Sequence, residues 1–581
     1  MSRNVPVTAA LAAIASATTM AGQIMVTDRS VDTHIAFMHK PLALAIPGPQ
    51  DWMPAGIAIA DYNNDGWQDI FWASGGGSTP DHLFINNGDG TFVDQAAAWG
   101  LTDIHAACGA CAGDYNDDGF LDIYVTSFGN GTNNQGQVGK NRLYRNNGNG
   151  TFTNVAEAAG VAFTGLTIAS GYGCCFGDYD LDGDLDLAIA AWYAPAKANR
   201  LYRNNGDGTF TDVTTTALTI PPTTWGFQTR FADMDHDGWP DLLLSADFGT
   251  SRYYRNNGNG TFSDLTESSG TGQDQNGMGQ CIGDFNNDGM LDWYVTSIFL
   301  DVQQPASGEG NKLYINTGSP GNHTYVETSV AAGVANGGWG WGTVAVDLDQ
   351  DGWLDIVEVN GRPSNAEFTG EQEYLWHNNT DGTFTEMALP SGLTYKAEGK
   401  SLATVDFDRD GDMDFLITFN NDLVKLYRND SNGGNWLSVA LDTPNNPLLA
   451  PNGFGARVVV TAGGHDQVRV IDSAPSFLNT GEFAAHFGLG QSTTIDKIRI
   501  EWPRGYVSTL EHVDVNQFLA LIGPSLADLS ADGVVDGADL AMLIDRWGAV
   551  GLSADRKADV NNDGVVDGVD LGILLDAWGT R

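Results

Sequence analysis

Polar and apolar positions follow a repeated order along the chain. A string of alternating acidic positions is followed at once by a short apolar run, such as Ile70-Phe71-Trp72 or Ile123-Tyr124-Val125. Twenty to 35 residues into the unit comes an aromatic-rich run, then a polar Gly-rich turn, then Thr-Phe, as in Leu83 to Phe92, Leu143 to Phe152, Leu201 to Phe210, Tyr253 to Phe262 and Leu375 to Phe384. The copy ending at Tyr325 and the one starting at Leu426 drift from this form. The runs are rich in β-branched and aromatic residues and too short for helices, so they predict strands. Asn-Asn-Gly-Asp-Gly between two such runs predicts a hairpin.

The acidic string reads Asp, x, Asp/Asn, x, Asp, Gly, x, x, Asp. It starts at Asp61, Asp114, Asp178, Asp233, Asp284, Asp347 and Asp406, at spacings of 53, 64, 55, 51, 63 and 59 residues. Each unit therefore holds about four short strands, and such units repeated around an axis predict a seven-bladed β-propeller. Val26-Thr27-Asp28 to Phe37 resembles the segment after each Thr-Phe, which the seventh unit lacks. The N-terminus is thus expected to complete the last blade and leave no raw sheet edge.

Oxygen ligands at alternate positions of a tight loop converge on one point, as a hard cation with six to eight oxygen ligands requires. The candidate ligands are Asp61, Asn63, Asp65 and Asp69; Asp114, Asn116, Asp118 and Asp122; Asp178, Asp180, Asp182 and Asp186; Asp233, Asp235, Asp237 and Asp241; Asp284, Asn286, Asp288 and Asp292; Asp347, Asp349, Asp351 and Asp355; and Asp406, Asp408, Asp410 and Asp414. The last ligand sits at position 9 of the loop. At position 12, where a helical EF-hand has its Glu, only Glu358 is acidic. These are calcium loops within β-hairpins, and packed carboxylates repel one another unless a cation neutralises them.

Composition agrees. The 581 residues carry 28 Lys+Arg against 73 Asp+Glu, a net charge of −45, which argues against nucleic acid and anionic membrane surfaces as partners. Hydrophobic residues at 42% exclude an acidic disordered tail. Arg3, an Ala-rich stretch from Val5 to Ala15 and small residues up to Ala21 predict an export signal over 1–21. The stretch is too short and too poor in large apolar residues to be a membrane anchor. Cys108, Cys111, Cys174, Cys175 and Cys281 lie just upstream of acidic loops, where other repeats carry small or apolar residues; a disulfide among them is open.

The loops and hairpins together resemble the FG-GAP/VCBS repeat, the calcium-loop blade of integrin α-subunit propellers and of many bacterial exported proteins. Phe176-Gly177 retains the Phe-Gly half of that motif. The resemblance implies a propeller over 24–434 with structural calcium. From Asn435 to about Gly523 the chain is similar to the ASPIC/UnbV domain, through Asn435-Trp436-Leu437, Gly453-Phe454-Gly455-Ala456-Arg457-Val458, His486-Phe487-Gly488-Leu489-Gly490 and Ile498-Arg499-Ile500-Glu501-Trp502-Pro503. The domain order and Gly338-Trp339-Gly340-Trp341-Gly342 match the cartilage acidic protein group.

The final segment, 525–581, duplicates one unit. Asp528, Ser530, Asp532, Asp536 and Asp539 recur as Asp559, Asn561, Asp563, Asp567 and Asp570, now with an acid at position 12 and a helix to follow. Leu540, Leu543, Ile544 and Trp547 are spaced to share a helix face, as are Leu571, Leu574, Leu575 and Trp578. The unit resembles a type I dockerin with two calcium loops, which implies a cohesin-like partner. Positions 10 and 11, which usually carry recognition, are Gly537-Ala538 and Gly568-Val569, without hydroxyls. The nine loops hold 33 of the 73 acids, and nine Ca²⁺ would bring −45 to −27.

No HExxH or GxSxG string is present. Gly399-Lys400-Ser401 lacks the upstream Gly of a phosphate loop and leads into a hairpin. Arg145, Arg203, Arg255 and Arg428 recur before an Asn and read as blade packing or loop bracing. The expectation is a secreted binding or adhesion module for a glycan or cell-surface protein. Two alternatives stand beside it: a polysaccharide-degrading enzyme or its accessory subunit, with an acid or base cluster at one propeller mouth, and a calcium-dependent structural surface-layer protein.

Overall fold

The computed structural model describes residues 24–39, 53–75, 79–129, 140–163, 169–192, 199–221, 223–300, 310–362, 368–431, 433–473, 475–550 and 556–580. The expected export signal over 1–21 lies outside them. The chain is mainly β and built from repeated four-stranded antiparallel sheets, a propeller-like order. In the first sheet Ile57–Ala60, Asp69–Trp72, His82–Asn86 and Phe92–Asp94 pair in sequence order. The same order recurs in the sheets starting at Ala107–Gly113, Ala169–Gly177, Trp225–Ala232, Gln280–Gly283 and Gly340–Val346. A last sheet takes Gly399–Val405, Asp414–Phe419 and Lys425–Asn429 from the seventh unit, and its fourth strand, Val26–Asp28, from the N-terminal end of the described chain.

The first two strands of a sheet are buried on both faces, while the outermost strand buries only its aromatic, as in Phe92-Val93-Asp94. The first strands of neighbouring sheets press together, which explains their small residues. A Cβ on Gly109 would come within 2.3 Å of the Tyr172 carbonyl oxygen, so Ala-Cys-Gly-Ala-Cys-Ala-Gly fits where Val or Leu would not. All five cysteines are buried free thiols.

Neighbouring sheets are also joined by one asparagine each. The Nδ2 of Asn146, Asn204, Asn256, Asn316, Asn378 and Asn429 donates to the second loop residue of the preceding sheet: Tyr62, Tyr115, Tyr179, Met234, Phe285 and Leu348 in turn, at 2.8–3.0 Å. Asn86 of the first sheet reaches Phe407 of the last, at 2.9 Å.

The C-terminal β unit has two sheets. One holds Asn435–Asp442, Ala485–Gly490 and Gln517–Ile522; the other holds Arg457–Ala462, His465–Val470, Thr494–Glu501 and Val507–Asp514. It does not stand apart from the repeats. Phe477 and Leu478, both fully buried, enter between the first strands of the repeat sheets. The Leu478 N–H donates to Gln228 and its carbonyl accepts from Ala110. Ser476 accepts from the Thr343 N–H, Asn479 donates to the Leu402 carbonyl, and Asn479–Thr480 pairs in parallel with Ile57–Ala58. One short segment thus touches five of the repeat sheets.

The two C-terminal helices, Gly537–Asp545 and Gly568–Asp576, each start with a reciprocal cap, Asp536 with Asp539 and Asp567 with Asp570. The expected apolar faces are only partly buried. Leu543 and Leu574 are fully buried, but Ile544, Trp547, Leu575 and Trp578 are about half exposed.

Candidate metal loops and the opposite mouth

Each acidic string is a turn between the first and second strands. Positions 4 and 6 both take positive φ, as in Asn64 (56°) with Gly66 (89°) and Gln350 (56°) with Gly352 (95°). This double left-handed step points backbone N–H groups inward. The first Asp accepts from positions 5 and 6: Asp65 N and Gly66 N lie 3.1 and 2.7 Å from the Asp61 carboxylate. The two C-terminal loops repeat this at Asp528 and Asp559.

The position 9 carboxylates are buried and fixed from two sides. Asp69 accepts from the Tyr62 N–H at 3.1 Å and from the Asn86 N–H at 2.8 Å. The same Asn that joins the sheets therefore also orients the deepest candidate ligand. Asp122, Asp186, Asp241, Asp292, Asp355 and Asp414 accept equivalently from Asn146, Asn204, Asn256, Asn316, Asn378 and Asn429. In the C-terminal pair, Asp539 and Asp570 at position 12 are fully buried and accept from Ser530 and Val560.

Carboxylate atoms of Asp178, Asp180 and Asp186, of Asp233, Asp235 and Asp237, and of Asp347, Asp349 and Asp351 come within 4.8 Å of one another. Oxygens of Asp180, Asp235, Asp349 and Asp408 are buried without a hydrogen-bond partner. Burial pushes Asp69 up to about 8, and burial with the charges of Asp235 and Asp237 does the same to Asp233. Burial raises Asp114 and Asp284 to about 6. Buried oxygens lacking donors and crowded like charges fit a dication bound through oxygen.

The recurring basic position faces these loops selectively. Arg255 Nη2 lies 3.1 Å from Asp237, Arg428 Nη1 lies 4.0 Å from Asp408, and His377 Nδ1 lies 3.1 Å from Asp355. These loops carry four acids. At the same position the first and fifth sheets have Ile85 and Ile315, and their loops have Asn63 and Asn286 in place of a third-position Asp. Arg145 departs from the pattern and bonds Asn147 instead.

The C-terminal β unit rests on the loop face. Arg504 Nη1 donates to the Leu181 carbonyl at 2.9 Å, His236 meets Glu501 at 2.9 Å, the Gly490 N–H donates to Gln350 at 2.8 Å, and His486 lies 2.8 Å from the Gly411 carbonyl. The opposite ends of the first strands form a mouth lined by aromatic rings. Phe248, 58% exposed, meets Trp225 at 5.5 Å between ring centroids; Trp225 meets Trp192 at 5.4 Å; and Trp339 stacks 6.5 Å from Trp341. Arg362 lies over Trp339 and Lys400 over Trp341. Lys400 is fully buried, 2.9 Å from Glu398, and burial holds it down to about 8. Sequence reasoning named Trp339, Trp341 and Lys400 on other grounds, but it did not single out this aromatic lining or the buried 476–480 segment.

Three family models match the chain. The FG-GAP-like repeat matches 46–125, 130–189, 178–244, 233–295 and 368–417, about half of the chain. The ASPIC and UnbV model matches 448–525 and the dockerin type I domain 526–576. The chain belongs to the FG-GAP repeat family, with an ASPIC/UnbV domain and a C-terminal type I dockerin domain. Dockerin type I domains bind calcium and dock onto cohesin domains. Cartilage acidic protein 1 of Mus musculus is 24% identical over 303 residues, covering 50% of this chain and 44% of that protein. The Homo sapiens protein is 24% identical over 307 residues, covering 50% and 43%. The match spans less than half the length of these relatives. Among solved structures, BBS1N in complex with ARL6DN aligns at a TM-score of 0.39 with 9% identity, over 67% of this chain and 97% of that one. The exotype rhamnogalacturonan lyase YesX aligns at 0.35 with 12% identity, over 66% and 75%. No described helix is long and apolar enough to cross a membrane.

Proposed function

We propose that this chain is a secreted binding module: a closed seven-bladed propeller over 24–434 with structural calcium in its loops, an ASPIC/UnbV domain over 435–523 and a dockerin over 525–581 that tethers it to a cohesin-type partner. The export signal is 1–21. Ring closure is supported by the Asn86–Phe407 bond and by the strand Val26–Asp28 in the last sheet. Calcium at the 38 sequence-derived ligand positions is supported by the convergence of buried, partnerless oxygens in the repeat loops and by the dockerin match.

The observation that carries the binding reading is the asymmetry of the two faces. The loop face is occupied by the C-terminal β unit. The opposite mouth presents Phe248, Trp225, Trp192 and Trp339 beside Arg362, a set suited to stacking on sugar rings and bonding their hydroxyls or carboxylates. The test incubates the calcium-loaded chain with a panel of soluble and insoluble polysaccharides and measures retained protein and newly released sugar ends together. Retention without release, lost in Trp192→Ala and Trp225→Ala, supports the reading. Unchanged retention in both variants moves the ligand elsewhere, and calcium-dependent release of sugar ends overturns it. A second reading, as a polysaccharide-degrading enzyme, is favoured by one observation: Lys400, Glu398 and Glu373 gather under the same mouth, with Lys400 held down by burial and Glu373 raised by it.

A further inference from the structure

Two positions packed beside the fourth repeat loop depart from the repeat. At the position where the other sheets carry Leu83, Leu143, Leu201, Leu313, Leu375 and Leu426, the fourth has Tyr253. Where the neighbouring hairpin turns carry Gly90, Gly150, Gly208, Gly260 and Gly382 before Thr, the fifth sheet has His323, in a turn three residues longer. That longer turn folds back onto the fourth loop, and its Gly321 N–H donates to the Asp235 carbonyl at 2.6 Å.

Tyr253 and His323 meet at this loop. The Tyr253 hydroxyl gives its proton to Asp241 Oδ2 at 2.9 Å. The same hydroxyl also meets His323 Nδ1, and this contact fixes the imidazole ring. Nε2 lies 2.6 Å from Asp235 Oδ2, and neither atom has a hydrogen-bond partner. Both side chains are more than nine-tenths buried. At that distance the imidazole nitrogen and the carboxylate oxygen can share one cation. One ligand atom each from Asp235, Asp241 and His323 falls within 4.8 Å of the others. An imidazole whose second nitrogen is pinned by a hydrogen bond is the arrangement that fixes a histidine as a metal ligand.

The geometry points to a mixed imidazole–carboxylate site in the fourth loop, formed by Asp233, Asp235, Asp241 and His323, that takes a first-row transition dication such as Mn²⁺ or Zn²⁺ in preference to Ca²⁺. Calcium draws its ligands from oxygen, whereas imidazole nitrogen favours the transition ions. The inference rests on the reading of the repeat loops as cation sites and adds that one of them has a different metal and draws a ligand from the next sheet.

The test uses the full chain carrying His377→Asn, which removes the imidazole beside the sixth loop. Protein equilibrated in excess Ca²⁺ with limiting Mn²⁺ is assayed for both metals by mass spectrometry and for directly bound imidazole nitrogen by pulsed EPR. One Mn²⁺ per chain with imidazole nitrogen coupling is expected. His323→Gly, which installs the residue of the ordinary turns, and Tyr253→Leu, which installs the residue of the other six sheets, should each lose that equivalent while retaining Ca²⁺ and the far-UV spectrum. Ca²⁺ bound with no Mn²⁺ retained would mean that a proton bridges His323 and Asp235, and would overturn this inference alone. Nitrogen coupling that survives in His323→Gly overturns it as well. A chain that binds no dication at all sinks both this site and the calcium reading.

Discussion

The Asn86 side chain donates to the Phe407 carbonyl at 2.9 Å across 321 residues of sequence, and so ties the first repeat sheet to the last. The same side chain accepts from the Gly88 N–H, while its backbone N–H donates to Asp69. One residue therefore joins the first repeat sheet to the last, shapes its own hairpin turn and aims a candidate metal ligand.

Asn86→Ala should accordingly cost more than an ordinary surface substitution. It strands buried carbonyls, and each unsatisfied group costs about 1–3 kcal/mol. A loss of about 2–4 kcal/mol is expected by denaturant titration in calcium. Asn205→Ala, at the exposed second Asn of a hairpin turn, is the control and should stay within about 0.5 kcal/mol. Equal losses at the two sites would refute the staple.

Removing calcium should invert the pH dependence of stability. Without a cation, burial raises Asp69, Asp233 and Asp406 to about 8, Asp406 also through the charge of Glu482. The folded state then binds more protons than the unfolded chain, so stability falls as pH rises from the ordinary carboxylate range towards 8. Chelated protein should melt higher at pH 5 than at pH 8. Calcium-saturated protein should not, because the ion replaces those protons. A chelated protein whose melting temperature rises across this window would contradict the loop geometry.

The repeated four-stranded units and the family were legible in the sequence because spacing and residue type recur along the chain. The asparagine staples were present in the same strings, but an Asn beside a Gly-rich turn reads first as a turn former. Phe477 and Leu478 carried no periodic signal. Their burial depends on first strands of repeat sheets that lie up to hundreds of positions away. The half-exposed Trp547 and Trp578 show the limit of helix periodicity, which identifies an apolar face but not whether this chain covers it.

Phe477 should behave as a core residue of the repeats although it belongs to the C-terminal β unit. Its ring lies 5.1 Å from Trp341 and 5.5 Å from Phe227, fully buried. Phe477→Ala should cost about 3–5 kcal/mol. It should also make the 435–523 region sensitive to protease while the repeat sheets hold. If proteolysis patterns do not change, the segment fills the space between the repeat sheets without anchoring the unit.

Arg504 offers the sharpest test of how the three units are coupled. It sits at φ +64° in a Pro-Arg-Gly turn of the C-terminal β unit, almost wholly buried. Nη1 donates to Leu181 in the third repeat loop and to Asn562 in the last loop, and Nη2 donates to the Asp559 carbonyl at 2.7 Å. The guanidinium thus bonds residues of two candidate metal loops from opposite sides. Arg504→Met keeps much of the stem and removes every donor, stranding four carbonyl or amide oxygens, those of Leu181, Asn562, Arg556 and Asp559. The expected result is release of the dockerin unit to limited proteolysis between 524 and 556 in calcium, with the repeat sheets intact by circular dichroism. Calcium affinity at both loops should weaken with it. Arg504→Lys, which has a single donor centre in place of the planar fork, should recover only part of this. Full recovery by Lys would mean that charge, not the two-sided geometry, holds the units together.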